Sequence, residues 1–571
     1  MAEEKKLTGY PSIDKPWLKY YSEEAINSPL PEKTMYQYIW ENNKDYLSDL
    51  ALQYYGTKIT YGKLFDNIKK AANAFYDMGV RAGDIVTIMS MLTPETIYAI
   101  YGLNYIGAVA NMVYMTLTDQ EILSVVKHTD SKLLLVLEAA LDRVEKIKDR
   151  IGIPVVILTI SDSMSFLTKF AYELKVKNRK NEFPQVEDFF GKCSTDAPVA
   201  SNHAAPAVIV YSSGTTGAPK GIVLSNDALC SIASQCALSG KQYQRGDSFL
   251  DILPPFIGFG ISMMHLAIAS GFISYLWIEL IPDKIVKAFN LFKPMRFVAG
   301  PALVDALIDN IQGNLRSIKE LTGGGGATPV EKQEQLNRVL QSHGANVKYT
   351  EGYGMTESGS VVCMQQNHIY KQGSVGIPLP RVNMKVIDVD SENECQFGEK
   401  GELCFATPSM MSCYFKNEPE TKKALFEDED NKEMRWLHTG DLGYIDEDGF
   451  VFITGRIKRI FITRDASGTA YKLFPQKIEE NLCQHAFVES CGVVVHEDPE
   501  RMHTCSCFVV LKKDVEKTES VITALWEHIK TGLSQHEQPV TLTILDSMPT
   551  TPSGKIDYRA LEKQAVEMQQ S

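Results

Sequence analysis

At 571 residues the chain is too long for one hydrophobic core, so two or more domains are expected. Its 44% apolar and 23% charged composition is that of a globular protein. A net charge of −13 argues against nucleic acid as a partner, since a phosphate backbone needs a basic surface. The eleven cysteines form no C-x2-C pair, which fits free thiols in a reducing cytoplasm better than disulfides or zinc. The N-terminus lacks an apolar run and the final Gln-Gln-Ser is not a peroxisomal address, so a cytoplasmic location is expected.

Residues 1–55 carry the aromatic anchors Trp17, Tyr20, Tyr21, Tyr36 and Trp40. From Ile59 the pattern turns α/β: a helical period over 64–78, glycines at 79 and 83, then a strand at 85–89. A helix from Pro94 and strands at 108–112 and 132–137 follow, and this short-linked alternation predicts a doubly wound, mainly parallel sheet. Stretches 96–118 and 252–278 lack Lys, Arg, Asp and Glu and are long enough to span a bilayer. Their Gly, Pro and polar interruptions make buried βα units the better reading.

Segment 165–180 breaks the rhythm. Phe166, Phe170 and Leu174 stand four apart, with Lys169, Lys175, Lys177, Arg179 and Lys180 as a basic complement. The pattern predicts an amphipathic helix. A lid over the protein's own apolar surface is the preferred reading, and a peripheral membrane contact is the alternative.

The most informative stretch is 211–221, Tyr-Ser-Ser-Gly-Thr-Thr-Gly-Ala-Pro-Lys-Gly. Ser212, Ser213, Thr215 and Thr216 offer four hydroxyls, Gly214 and Gly217 let backbone N–H groups converge on an anion, and Lys220 adds a positive charge. The run 207–211 reads as a buried strand, which puts the loop at a strand end. This is a phosphate grip outside the Walker pattern, because the glycines are three apart and Gly221 follows the lysine.

Further clusters follow in order. Gly323, Gly324, Gly325, Gly326 and Ala327 allow a flat ligand to approach the backbone. Tyr353, Gly354, Met355, Thr356 and Glu357 supply a stacking ring, a hydroxyl and a carboxylate, and Thr439-Gly440-Asp441 an acceptor for sugar hydroxyls. In Pro549-Thr550-Thr551-Pro552-Ser553-Gly554-Lys555 a lysine sits on a rigid turn. Singly, each is an ordinary turn or core residue.

Together with Gly455-Arg456-Ile457-Lys458, these motifs resemble the adenylate-forming superfamily of acyl-CoA synthetases, peptide-synthetase adenylation domains and beetle luciferases, over about 59–559. The resemblance implies a large N-terminal domain (1–457) of doubly wound mixed sheets with a β-rich subdomain, and a small mobile α+β domain (458–571). It implies ATP, Mg²⁺ and CoA as cofactors. Residues 212–220 would hold the β,γ-phosphates, and Gly324–Ala327 and Tyr353 would sandwich adenine. Thr356 would contact the α-phosphate and Glu357 would ligate Mg²⁺. Asp441 would take the ribose hydroxyls with Arg456 nearby. Lys458 would be the hinge and Lys555 the catalytic lysine bridging substrate carboxylate and α-phosphate.

Several positions depart from the family's habit: Ile257 where His or an aromatic is common, Thr407 and Cys413 for glycines, Arg459 for Asp and Lys477 for Glu. Amino-acid-activating relatives carry Asp in a Phe-Asp-x-Ser step, whereas Phe259-Gly260-Ile261-Ser262 has none to pair a buried ammonium. Phe256, Ile257, Phe259 and Gly260 are the expected acyl pocket, suited to a fatty, aromatic or alicyclic acid. The expected reaction is acid:CoA ligation through an acyl-adenylate, and a separate carrier protein is the alternative acceptor. A luciferase-like oxidoreductase and a silent acyl-binding homologue are the readings from other classes.

Overall fold

The computed structural model describes residues 7–175, 183–190, 196–211, 220–428, 431–459, 461–464, 470–551 and 555–570. Two large sheets form the N-terminal part. One runs Cys413–Tyr414, Gly221–Ser225, Pro206–Tyr211, Val109–Met112, Ile85–Met89, Leu133–Leu137 and Val155–Leu158, parallel from Pro206–Tyr211 onward. The other has nine strands, with a parallel centre built from Tyr349–Met355, Glu320–Gly323, Arg296–Ala299, Ser248–Asp251 and Ile273–Leu276. The expected strands lie within a residue of where the alternation puts them.

Between the sheets lies a core that explains both charge-free stretches. Every residue of helix Pro94–Tyr105 is buried, and all but Phe259 in helix Gly258–Ala269. A helix covered on all sides reads as apolar all round. His265 sits fully buried here as a neutral imidazole, its pKa pushed down to about 3 by burial, in a hydrogen bond with the Tyr101 hydroxyl. Among the described residues no helix is long and apolar enough to cross a membrane.

A third, antiparallel sheet is built on the long strand Asn431–Ile445, which pairs with Gly401–Ala406, Leu425–Asp428 and Val451–Arg456. After Ile457–Arg459 comes a smaller unit. Its sheet of Val488–Asp498, Met502–Leu511 and Thr541–Leu545 is packed by helices Pro475–Cys483, Glu519–Gly532 and Tyr558–Gln570. The whole is the mixed α/β fold expected, with large N-terminal and smaller C-terminal parts.

One expectation is overturned. Helix Phe166–Lys175 forms where the period puts it, but its apolar residues point away from the protein. Phe166 is 84% exposed, Leu167 78%, Phe170 58% and Leu174 72%. The lid reading fails because Tyr172, on the other side, makes the inward contact. Periodicity defines a face but not the direction in which it points.

Candidate active site

A crevice of about 1280 Å³ opens where the two large sheets, the third sheet and the C-terminal unit meet. It is lined from distant parts of the chain, including Lys220, Phe256, Gly324, Tyr353, Glu357, Arg456 and Lys555. Strand ends and the loops that leave them build it, the general place for ligands in open α/β sheets.

At one end stand the flanks of the segment expected to grip phosphate. Ser212, Ser213, Gly214, Thr215, Thr216 and Gly217 lie outside the described residues, but their flanks are informative. Strands Pro206–Tyr211 and Gly221–Ser225 pair antiparallel, Tyr211 opposite Gly221. Lys220 pairs with Glu420, and its ammonium lies 4.7 Å from the centre of the Tyr414 ring. Lys220 and Lys423 both hydrogen-bond Glu420 and hold its carboxyl down at about 2.

Tyr414 links this cation to the carboxylate opposite. Its hydroxyl donates to Glu357 Oε1 at 2.9 Å, and the Met411 N–H donates to the Glu357 carbonyl at 2.7 Å. Glu357 is 7% exposed, and among the described residues its Oε2 accepts no hydrogen bond. A crevice-lining carboxylate with an oxygen still able to accept fits a hard divalent cation, for which oxygen is the natural donor. Sequence reasoning missed Tyr414; only its place just before the Lys416–Glu420 turn hinted at it.

The nucleotide side has its own relay. The Tyr353 hydroxyl donates to Asp441 Oδ2 at 2.7 Å, and Arg456 Nε donates to Asp441 Oδ1 at 2.7 Å. Asp441 Oδ1 and Oδ2 retain further lone pairs for sugar hydroxyls, since a carboxylate offers about four acceptor sites. Gly354 lies against the neighbouring strand so closely that a Cβ there would stand 1.8 Å from the Ser360 carbonyl oxygen. Gly324, Gly325, Gly354 and Thr356 line the crevice; Gly326 and Ala327 stand just outside its lining.

Lys555 reaches the same space from the C-terminal unit. The Thr551 N–H donates to the Lys555 carbonyl at 2.7 Å and the Lys555 N–H to Thr551 Oγ1 at 3.3 Å, closing the turn whose residues 552–554 lie outside the described set. Solvent still reaches the residue. Crowding by the surrounding protein and then the Arg456 guanidinium push its ammonium below the usual lysine range, against the pull of Asp441 and Glu357. Arg456 and Ile457 line the crevice beside it, and the Lys458 backbone sits in the single 3-10 turn Ile457–Arg459.

On the acyl side, Phe256, Ile257 and Phe259 line the crevice with Tyr114, Met263 and Val361. Gly260 does not: a Cβ there would meet the Pro254 carbonyl oxygen at 2.0 Å, so it serves loop–helix packing. The far lining holds a shelf that sequence reasoning missed. Buried Lys241 pairs with Glu320 and donates to Thr322 at 3.2 Å, and Arg296 donates to the other Glu320 oxygen at 2.8 Å. Ser360, opposite Met355 on the neighbouring strand, is 5% exposed, and its hydroxyl has no partner among the described residues.

Beneath the 253–257 wall lies Asp251, fully buried, with one oxygen taking the Leu253 N–H at 3.2 Å and the other unpartnered. Burial raises its pKa to about 7. A folded value above the unfolded one means stability is lost as pH rises from about 4 to 7, by at most on the order of 4 kcal/mol. Asp251→Asn should therefore raise Tm at pH 8 and leave it nearly unchanged at pH 4. Equal effects at both pH values in thermal melts would refute the ionisation account.

A family model described as "AMP-binding enzyme" matches residues 39–415, and one described as "AMP-binding enzyme C-terminal domain" matches residues 477–555. A long-chain-fatty-acid–CoA ligase of Bacillus subtilis is 27% identical over 573 residues, covering 97% of this chain and 98% of its own. A 4-coumarate–CoA ligase of Arabidopsis thaliana is 26% identical over 513 residues, covering 88% and 85%. Among solved structures, an anthranilate CoA ligase in complex with anthranoyl-AMP shares the fold at a TM-score of 0.79, with 21% identity over 94% of this chain and 98% of that one.

Proposed function

The chain belongs to the AMP-binding enzyme family, and on that premise we propose that it is an ATP- and Mg²⁺-dependent carboxylic acid:CoA ligase. The single observation that carries this reading is the convergence of Lys220, Glu357, Tyr353, Asp441, Arg456 and Lys555, from elements up to 335 positions apart, around one crevice. In the first half-reaction a carboxylate oxygen of the acid attacks the α-phosphorus of ATP. The P–O bond to the β,γ-diphosphate breaks, and pyrophosphate leaves. In the second, the CoA thiol gives up its proton to solvent and sulfur attacks the acyl carbonyl, expelling AMP.

Two anions meeting must have their charge offset, and charge grows on the phosphoryl oxygens as the bond forms. Lys555 sits among the nucleotide-side groups, where it would bridge the two reactants, and Lys220 would take the distal phosphates by leaving Glu420. Glu357 would hold Mg²⁺, which when bound supplies further positive charge to the phosphates. Tyr353 would stack on adenine while its hydroxyl and Arg456 orient Asp441 toward the ribose. Residues 1–457 and 458–571 would act as the fixed and moving domains.

For the acid, Phe256, Ile257, Phe259, Met263 and Val361 favour an apolar body. Glu320 does not serve an amino acid's ammonium, because Lys241, Arg296 and Thr322 already occupy its oxygens. The Lys241 shelf favours a fatty or aromatic acid whose far end carries a hydroxyl or other polar group, since an alkyl terminus would leave the Lys241 ammonium desolvated. The test is AMP and pyrophosphate release over paired acids with and without a distal hydroxyl, each with and without CoA, products read by mass. CoA-dependent acyl-CoA formation is expected. Adenylate retained with no CoA product would redirect the reading to a carrier protein.

A further inference from the structure

The helix Phe166–Lys175 is amphipathic the wrong way round for its own protein. At 100° per residue, Phe166, Phe170, Leu174 and Leu167 fall within an arc of about 100°. All four are more than half exposed. The opposite side holds the helix down: the Tyr172 hydroxyl donates to Glu138 at 3.2 Å. Four large apolar side chains clustered on one exposed helix face mark an interaction site.

Charge says what covers it. Segment 165–180 carries five cations (Lys169, Lys175, Lys177, Arg179, Lys180) against the single anion Glu173, inside a chain of net charge −13. Lys169 stands 3.9 Å from both Asp162 and Glu173, and by sequence the segment keeps a local excess of positive charge. A second copy of this chain would bring this excess against itself. An anionic lipid surface satisfies both the cations and the apolar arc.

Position ties the patch to the crevice. The Ser165 N–H donates to the Tyr55 carbonyl at 3.3 Å, and the Tyr55 ring stacks on Trp277 at 5.2 Å. Just beyond Trp277, Leu280 and Ile281 are 40% and 60% exposed, and Leu280 and Pro282 line the crevice. We infer that Phe166, Leu167, Phe170 and Leu174 dock the protein onto an anionic lipid surface, peripherally and beside an entrance to the acyl side. Delivery of the acid from that surface rests on the ligase reading; the docking does not.

Co-sedimentation with phosphatidylcholine vesicles, with and without phosphatidylglycerol, tests this. The full chain should bind the anionic vesicles, with binding weakened by salt. Phe166→Ser/Phe170→Ser/Leu174→Ser should lose about tenfold or more of the bound fraction, as should Lys177→Glu/Lys180→Glu. Turnover of a dissolved short acid should stay unchanged in both, which also shows that they fold. Equal binding by the triple serine variant, or no binding by the wild type, would overturn the docking. So would a dimer in velocity sedimentation that the triple variant abolishes without any vesicle binding, since the occupant would then be a second copy. Vesicle binding by a wild type inert toward every acid would sink the ligase reading and leave the docking standing.

Discussion

Lys555→Ala should slow acyl-adenylate formation by about 10²–10³-fold, the range seen when one donor to a developing oxyanion is removed. Thioester formation from supplied acyl-adenylate should fall less than about tenfold, because phosphoryl charge has already been resolved by then. Rapid-quench assays of the two half-reactions separate these, and equal losses would remove Lys555 from its assigned place. The same lysine sets a pH limit. It must be protonated to act, so adenylation should fall as pH rises through its pKa, which crowding by the surrounding protein and Arg456 hold below the ordinary lysine range. Arg456→Gln removes the competing cation and should move that basic limb upward, whatever it does to the rate.

Lys458→Pro should leave adenylation within about threefold of wild type and cut thioester formation by about 10²-fold or more. The reason is geometric. Lys555 lines the crevice, and on the ligase reading it would stand in the thiol's path, so the C-terminal unit would have to turn between half-reactions. A proline fixes φ at 458 and restricts ψ of Ile457 before it. Undiminished overall turnover would count against a pivot at this position.

Much of this site was readable before the fold was known, because its parts are short local motifs whose residue types announce their chemistry. Gly324, Tyr353, Glu357 and Lys555 needed only to be brought together. What was hidden depended on long-range pairing. Nothing near Tyr414 shows that it reaches Glu357, 57 positions away, and the shelf joins Lys241 to Glu320 across 79 positions. Gly260 misled in the opposite way: its missing side chain accommodates a backbone carbonyl instead of a ligand.

The two arginines on either side of Lys458 carry a mechanical consequence. Arg456 is fastened to Asp441 in the third sheet, while Arg459 is fastened to both Glu479 oxygens, the Tyr558 hydroxyl and the Val493 carbonyl in the C-terminal unit. Only residues 457 and 458 lie between these fastenings. A rotation of one body against the other must therefore be absorbed by about four backbone torsions. A larger turn must unlatch an arginine first. If Arg456 is the one that lets go, Asp441 loses its guanidinium at that moment, and a ribose held there as proposed would be released in step with the turn.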